Sequence, residues 1–225
     1  MANLLAIDTA THACSCALLL DGDISERFEI IPRQHAGRLL PMIDELLGEH
    51  AVKPRDLDAI AYGQGPGSFT GLRIAAGVAQ GMAFGAGLPA IGVSSLASLA
   101  MQLPGGNGVV FATLDAKIDE VYWGFYRVED GTAVLVESEG LCRPEDLPGD
   151  VLPGKGALTG IGSGLDFLAR MPGVYQERIT LQLPDYHPRA GTIATLAAVY
   201  FERGKLQAPV DINPVYLRDK VTHAG

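Results

Sequence analysis

The chain has 225 residues, and its 26 acidic against 17 basic side chains give a formal net charge of −9. Because contacts to nucleic-acid phosphates require a basic face, this charge argues against a chain that binds nucleic acid alone, and any role with RNA needs a basic partner. Three cysteines, Cys14, Cys16 and Cys142, are too few and too unevenly spaced for a disulfide framework, so we expect a reduced, cytoplasmic location.

The first half of the chain reads as three strands followed by alternating helices and strands. Short apolar runs predict the strands, and apolar residues at intervals of three and four predict the helices. The predicted strands cover 3–8, 13–20, 24–31, 57–62 and 90–93, and the predicted helices cover 34–50 and 71–86. The first strand reaches Asp8 too soon for a signal peptide, and the glycines of 74–93 make that stretch a poor membrane span, so no membrane association is expected.

The second half begins with the same pattern. Its predicted strands cover 108–115, 120–127, 132–137 and 157–161, and its predicted helices cover 144–147, 165–171 and 192–202. The repetition predicts an α/β fold of two similar lobes, each a mixed sheet with helices. We expect an N-terminal lobe over 1–104 and a C-terminal lobe over 105–225, whose last helix is a candidate to pack back on the first lobe. This is the plan of the actin, Hsp70 and sugar-kinase superfamily, and it carries no function by itself.

A glycine-rich run over 63–71 joins the predicted strand 57–62 to the long helix and reads Gly-Gln-Gly-Pro-Gly-Ser-Phe-Thr-Gly. Such a turn points free backbone N–H groups and the positive end of the helix at one place, where they can hold an anion. The candidate contacts for an anion or nucleotide are Asp8, Gly65, Gly67, Ser68, Thr70 and Arg73. The run is equally consistent with a tight turn that fixes one helix against one sheet, with Ser68 as the helix cap and Arg73 in a salt bridge to a nearby acid.

The helix predicted over 71–86 is apolar on nearly all sides. One side carries Ile74, Gly77, Val78, Gly81, Met82 and Gly85, and the other is mainly alanine. A helix of this kind needs cover on both faces. Each mid-helix glycine costs about 1 kcal/mol against alanine, a loss that close packing against another helix can offset. The cover on the second face is either the chain's own helix over 34–50 or a partner, and the pattern alone favours neither.

Several motifs resemble the bacterial TsaB family, formerly called YeaZ. They are His35-Ala36-Gly37-Arg38-Leu39-Leu40-Pro41, Gly65-Pro66-Gly67-Ser68-Phe69-Thr70-Gly71-Leu72-Arg73, Gly92-Val93-Ser94-Ser95-Leu96, Leu114-Asp115-Ala116 before Glu120-Val121-Tyr122, and Pro214-Val215-Tyr216-Leu217-Arg218. The resemblance implies a non-catalytic scaffold in the synthesis of N6-threonylcarbamoyladenosine at position 37 of tRNAs that read codons beginning with A. It also implies a TsaD-like catalytic subunit and a TsaE-like ATPase as partners, a homodimer when the chain is alone, and contact with tRNA only through the complex.

The same resemblance implies that the helices over 34–50 and 71–86 form a shared four-helix interface with the TsaD-like subunit or with a second copy. The expected anchors are Leu39, Ile43, Leu46, Ile74, Val78 and Met82, with Gly77 and Gly81 allowing close approach. On this expectation, the chain acts by binding a partner through the surface that these two helices form.

The sequence offers few residues suited to catalysis or to binding a metal or phosphate. The TsaD family holds a metal with two histidines in a Gly-Val-Asn-His-x-x-x-His context, and the matching positions here are Ser95 and Leu99, so no metal site and no cofactor are expected. The turn Asp8-Thr9-Ala10-Thr11 has alanine where the superfamily's phosphate loop has glycine. The alternatives are an ATP-binding small-molecule kinase or ATPase of the same fold, and a protease, for which Gly67-Ser68-Phe69-Thr70-Gly71 misplaces the serine of a Gly-x-Ser-x-Gly elbow.

Overall fold

The computed structural model describes residues 2–218, which form two mixed sheets with helices packed against them. The strands are β1 (Leu4–Asp8), β2 (Ala13–Leu20), β3 (Asp23–Ile30), β4 (Ala59–Gly65), β5 (Ala90–Ser94), β6 (Gly108–Lys117), β7 (Glu120–Glu129), β8 (Thr132–Leu135), β9 (Gly140–Cys142), β10 (Leu158–Ile161) and β11 (Ile179–Leu183). The α-helices are α1 (His35–Glu49), α2 (Phe69–Ala86), α3 (Ser95–Ala100), α4 (Gly173–Arg178) and α5 (Ala190–Glu202). Short 3-10 helices lie at Pro54–Asp56, Pro144–Asp146, Ser163–Arg170 and Pro209–Asp211. Met1 and the end of the predicted second lobe, 219–225, lie outside the described residues.

The first sheet has the strand order β3-β2-β1-β4-β5. Strands β1, β2 and β3 are antiparallel neighbours, with Leu4 opposite Leu19 and Ala13 opposite Ile30. Strand β4 runs parallel to β1, and β5 runs parallel to β4. Parallel neighbours need long crossover connections, which α1 and α2 provide on either side of β4 in the chain. Strand β1 lies in the middle of the sheet and is buried along its whole length because both of its faces are covered.

The second sheet repeats this order as β8-β7-β6-β10-β11, with β9 also paired to β7. Strands β6, β7 and β8 are antiparallel neighbours, and β10 and β11 continue the sheet in parallel. The two sheets therefore share one topology, in which three antiparallel strands precede two parallel strands. The fold predicted from the repeated pattern, two actin-like α/β lobes, is confirmed.

Three clusters of buried residues separate the layers. Helices α1 and α2 pack on the outer face of the first sheet, around Leu46 and Ala79. Between the sheets, α5 covers the inner face of the first sheet and α3 contacts strands of both, around Leu99 and Ile193. The outer face of the second sheet is covered by α4 and the 3-10 helices Pro144–Asp146 and Ser163–Arg170, around Tyr175. Because α1 and α2 form the outermost layer of the first half, each has a side that faces away from the core.

Several elements depart from the sequence prediction. Helix α3 was not predicted because all six of its residues are buried, so it has no amphipathic pattern to detect. The elements β9, α4 and β11 were also missed, and the predicted helix over 165–171 is 3-10 in geometry. Among the described residues, no helix combines the length and the apolar character that crossing a bilayer requires.

Candidate functional site

Helix α2 has one face in the core and one face open. It is capped at its start, where the Ser68 hydroxyl accepts a hydrogen bond from the Gly71 N–H at 3.3 Å. It ends at Gly87, whose φ of 71° is the left-handed conformation that commonly terminates helices. The residues that face the first sheet and are buried are Leu72, Ala75, Ala76, Ala79 and Ala83. The helix is thus fixed at both ends and along one side, while its opposite side faces outward.

Three glycines line the open face of α2. Gly77, Gly81 and Gly85 follow one another at intervals of four residues, so they stack on one side of the helix. Within the described part of the chain, no neighbouring atom lies within 4 Å of the place that a Cβ would take at any of the three. Helix α1 lies beside α2 and contacts it, but it does not reach these glycines. Of the two covers considered from the sequence, the chain's own helix is therefore not the one that fills this space.

Phe84 projects from the same face and is 76% exposed. It follows Gly77 by seven residues and Gly81 by three, and both spacings bring residues to the same side of a helix. A large aromatic side chain beside a row of glycines forms a projection next to a notch, which suits recognition by another helix. The sequence interpretation overlooked Phe84, although its seven-residue spacing from Gly77 was a signal that could have found it.

Ile74, Val78 and Met82 form a ridge beside the glycines. They also recur at intervals of four, and each is partly exposed while packing in part against the core under α1 and α2. Rows of side chains at this spacing are the ridges that enter the grooves of a neighbouring helix in helix–helix packing. The α2 residues expected to anchor an interface therefore do border the open face.

The expected anchors on α1 lie elsewhere. Leu39, Ile43 and Leu46 are between 0% and 2% exposed and belong to the core between α1, α2 and the first sheet. They support the outer surface from beneath and do not line it. The large apolar side chain that α1 presents outward is Leu40, which is 54% exposed.

The glycine run packs tightly against the turn between β1 and β2. The Ser68 N–H donates to the Ala10 carbonyl at 2.7 Å, and the Thr9 hydroxyl donates to the Gly71 carbonyl at 2.7 Å. A Cβ on Gly67 would lie 2.5 Å from the Ala10 carbonyl oxygen, and one on Gly71 would overlap the Thr9 carbonyl oxygen. Glycine at these positions lets two backbone segments come together, which agrees with a tight turn that fixes α2 against the sheet.

Gly65 and Thr70 lie at different depths of the run. Gly65 is covered by the chain around Val215, since a Cβ on Gly65 would lie 2.8 Å from the Val215 carbonyl oxygen. Thr70, by contrast, is exposed in the first turn of α2. The glycine turn that follows β10 in the second sheet is packed in the same way, because a Cβ on Gly164 would overlap the Thr113 hydroxyl. Both glycine turns therefore pack closely against neighbouring parts of the chain.

Asp8 and Arg73, the two charged candidates for an anion contact, have unlike surroundings. Asp8 is fully buried; its Oδ1 accepts the Ala10 N–H at 3.0 Å, and its Oδ2 has no partner among the described residues. Burial raises the pKa of Asp8 to about 7. Arg73 lies over the Phe69 ring, 3.6 Å from its centroid, and donates to the Tyr216 hydroxyl at 3.1 Å. A buried acid and an exposed, stacked cation do not form one anion pocket.

Helix α3 carries the positions that match the metal-binding histidines of the TsaD family. Ser95 and Leu99 are fully buried there, and the Ser95 hydroxyl has no hydrogen-bond partner among the described residues. The preceding Ser94 caps α3 through two backbone N–H groups and donates to the Glu139 carboxylate. Over residues 2–218, no three histidine, cysteine or acidic side chains come together as a metal site requires.

Comparison with known proteins gives a consistent set of relatives. The family described as "TsaD: tRNA N6-adenosine threonylcarbamoyltransferase" matches residues 29–171. The "tRNA threonylcarbamoyladenosine biosynthesis protein TsaB" of Escherichia coli (strain K12) is 40% identical over 224 residues, which cover 97% of this chain and 95% of the relative. The protein of the same description from Haemophilus influenzae is 36% identical and covers 97% and 94% of the two chains. The solved structure of YeaZ from Pseudomonas aeruginosa superimposes with a TM-score of 0.90 at 42% identity, covering 96% of this chain and 100% of that one.

Proposed function

This chain belongs to the TsaB family, and from that premise we propose that it is a non-catalytic scaffold and activator subunit in the synthesis of threonylcarbamoyladenosine in tRNA. The modified position is N6 of adenosine 37 in tRNAs that read codons beginning with A. A TsaD-like protein is the catalytic subunit, and a TsaE-like ATPase joins the pair in the cytoplasm. Because the chain is acidic, tRNA contacts the complex and not this subunit alone.

The open face of α2 is the observation that carries the proposal. Gly77, Gly81 and Gly85 each weaken the helix by about 1 kcal/mol relative to alanine, and no neighbour in residues 2–218 uses the space they leave. Phe84 stands beside them with most of its surface in water. A partner helix that enters the notches and covers Phe84 makes use of both features.

The partner is a pair of helices that packs on α1 and α2 as a four-helix interface. Burial of a phenylalanine side chain contributes about 2–3 kcal/mol, and the apolar ridge beside the glycines adds further area. In the absence of the catalytic subunit, the same face suits a second copy. A two-fold axis passing between Gln80 and Gly81 would set Phe84 of each copy against Gly77 of the other, which makes the surface self-complementary.

The close packing of both glycine turns supports a non-catalytic role. An anion that approached Gly67 would meet the Ala10 carbonyl oxygen, which repels it. Ser95 and Leu99 offer no imidazole to a metal. The chemistry of transfer is therefore assigned to the catalytic subunit. Calorimetric titration of the purified chain with ATP and magnesium tests this assignment, because micromolar binding would favour an ATPase or kinase.

Replacement of Phe84 by glutamate tests the docking surface on a side chain that the core does not need. We expect Phe84→Glu to keep its fold, because Phe84 is 76% exposed, and to weaken association with the purified TsaD-like subunit by about 30-fold or more. The readout is the dissociation constant from calorimetry, with circular dichroism to check the fold. The double variant Val78→Glu/Met82→Glu should abolish association.

Val134→Glu is the matched control, because Val134 is 57% exposed on β8 of the second sheet, away from α2. It should bind like the unmodified chain. A folded Phe84→Glu protein that binds the catalytic subunit as tightly as Val134→Glu does would remove the open face of α2 as the docking site.

A further inference from the structure

The chain after α5 returns to the first sheet and then crosses to the second. Residues 206–218, here called the strap, begin near the C-terminal end of α2, follow its flank and end at the turn between β6 and β7. The strap joins the first sheet through an isolated bridge between Ala90 and Gln207. It therefore contacts both halves of the molecule while lying outside the main ladders of either sheet.

The first part of the strap is anchored beside the C-terminal half of α2. Ala90 and Gln207 exchange two backbone hydrogen bonds of 2.9 Å. Gln80 of α2 donates from Nε2 to the Pro209 carbonyl at 2.9 Å. Ile212 is 5% exposed and belongs to the core beneath α1 and α2. These contacts fix the strap to the flank of the helix.

The second part of the strap contacts the N-terminal part of α2 and the end of β4. The Val215 N–H donates to the Gln64 carbonyl at 2.7 Å. Arg73 donates from Nε to the Tyr216 hydroxyl at 3.1 Å, and the rings of Phe69 and Tyr216 lie 5.6 Å apart. Side chains of α2 thus hold the strap near the start of the helix and again beside its C-terminal half.

Arg218 attaches the end of the strap to the second sheet, and its contacts are here called the hook. Arg218 forms an ion pair with Glu120 and donates to the carbonyls of Ala116 and Lys117 at 3.3 and 3.4 Å. The side chains of Arg218 and Glu120 are 21% and 31% exposed, so water only partly screens the pair. This hook ties the strap to the turn between β6 and β7.

We propose that the strap couples the open face of α2 to the turn between β6 and β7. Arg73 and Gln80, which hold the strap, are seven residues apart and border the row formed by Gly77 and Gly81. A helix docked on that row contacts the side chains that hold the strap, and the strap ends at the hook. The strap then has two states, engaged and released, and a change at either of its ends shifts the equilibrium between them. The effect of a bound subunit rests on the proposed function, whereas the coupling is a property of the chain alone.

Residue-resolved hydrogen exchange on the isolated full chain tests the coupling from both ends. Arg218→Glu breaks the hook and should speed exchange of the Leu72 amide, in the first turn of α2, by about fivefold. Arg73→Ala loosens the other end and should speed exchange of the Lys117 amide by a similar factor, because coupling between two sites is reciprocal. The charge swap Arg218→Glu/Glu120→Arg rebuilds the ion pair but not the two hydrogen bonds to carbonyl oxygens, so it should restore the original rates in part.

Arg127→Glu is the control, since Arg127 forms an exposed pair with Glu129 on the second sheet and does not contact the strap. It should leave both amides unchanged. The proposal is overturned if Arg218→Glu changes exchange only in the strap and its hook, or if the charge swap leaves the Leu72 rate as fast as in Arg218→Glu. Coupled exchange in a chain that fails to bind the catalytic subunit would refute the proposed function and leave the coupling standing.

Discussion

Alanine at Gly77 and Gly81 should make the isolated chain more stable and the complex weaker. Neither position has a positive φ, and neither has an atom within 4 Å of the new methyl group. Each substitution therefore replaces a poor helix former with the best one at no steric cost, which stabilises the fold by about 1 kcal/mol per site and about 2 kcal/mol for the pair. In the complex, each methyl group fills the notch that a partner helix needs, and overpacking of this kind costs about 1–3 kcal/mol per site.

Two measurements on the same protein separate these effects. Urea unfolding, followed by the fluorescence of the single tryptophan, Trp123, gives the free energy of unfolding of the isolated chain. Trp123 is 7% exposed, so its emission should change when the core opens. Calorimetry with the TsaD-like subunit gives the dissociation constant, which should rise by about 30-fold or more for the double variant.

The opposite signs of the two changes make the reasoning refutable. Gly173→Ala, at the start of α4 on the second sheet, also has an open Cβ position and is the control that should leave association unchanged. A double variant at Gly77 and Gly81 that gains stability and still binds with unchanged affinity would mean that no helix approaches these glycines. Lost stability would mean that the face is covered within the chain.

Three further predictions concern the buried loops and thiols. Burial raises the pKa of Asp8 from 3.8 to about 7, so the protonated carboxyl stabilises the fold below pH 4 and this contribution is lost as the pH rises to 7. Urea unfolding should show a loss of about 4 kcal/mol over this range in the unmodified chain and none from this group in Asp8→Asn. Burial raises the pKa of the Cys14 and Cys16 thiols to about 12, so iodoacetamide at neutral pH should label neither in the native protein, and rapid labelling seen by mass spectrometry would contradict their placement. Gly67→Ala should lower the free energy of unfolding by about 2–4 kcal/mol, because its Cβ would press on the Ala10 carbonyl, and an unchanged value would show that the turn can relax.

Most of the fold could be predicted because its signals are local. The strands of the first half and the helices α1 and α2 follow from short apolar runs and from apolar residues at helical spacing. Repetition of the pattern was sufficient to predict two sheets of the same topology. Helix α3 and the short elements β9, α4 and β11 could not be predicted, since buried residues on every side and segments of three to six residues leave no periodicity to read.

The candidate site was harder to predict because periodicity shows that a face is apolar and does not show what covers it. Leu39, Ile43 and Leu46 have the spacing of a buried stripe, and the first sheet is what they pack against. Phe84 and Gly77 share a face by the same spacing, yet that face is open. The distinction depends on tertiary contacts between α1, α2 and the sheet, which no single segment encodes.

On the proposed function, the glycine run explains how an actin-like fold can serve as a scaffold. Where such a loop binds phosphate, its backbone N–H groups face a ligand; here the Ser68 N–H is bonded to Ala10, and Asp8 is buried with a pKa near neutrality. Gly71 is bonded both to the Ser68 cap and to Thr9 in the turn between β1 and β2, and these hydrogen bonds fix the start of α2 against the first sheet. A firmly held helix is what a docking surface needs, since a partner then loses little free energy in ordering it. On the proposed function, the close packing of this loop also stabilises the outer face of α2 on which a partner binds.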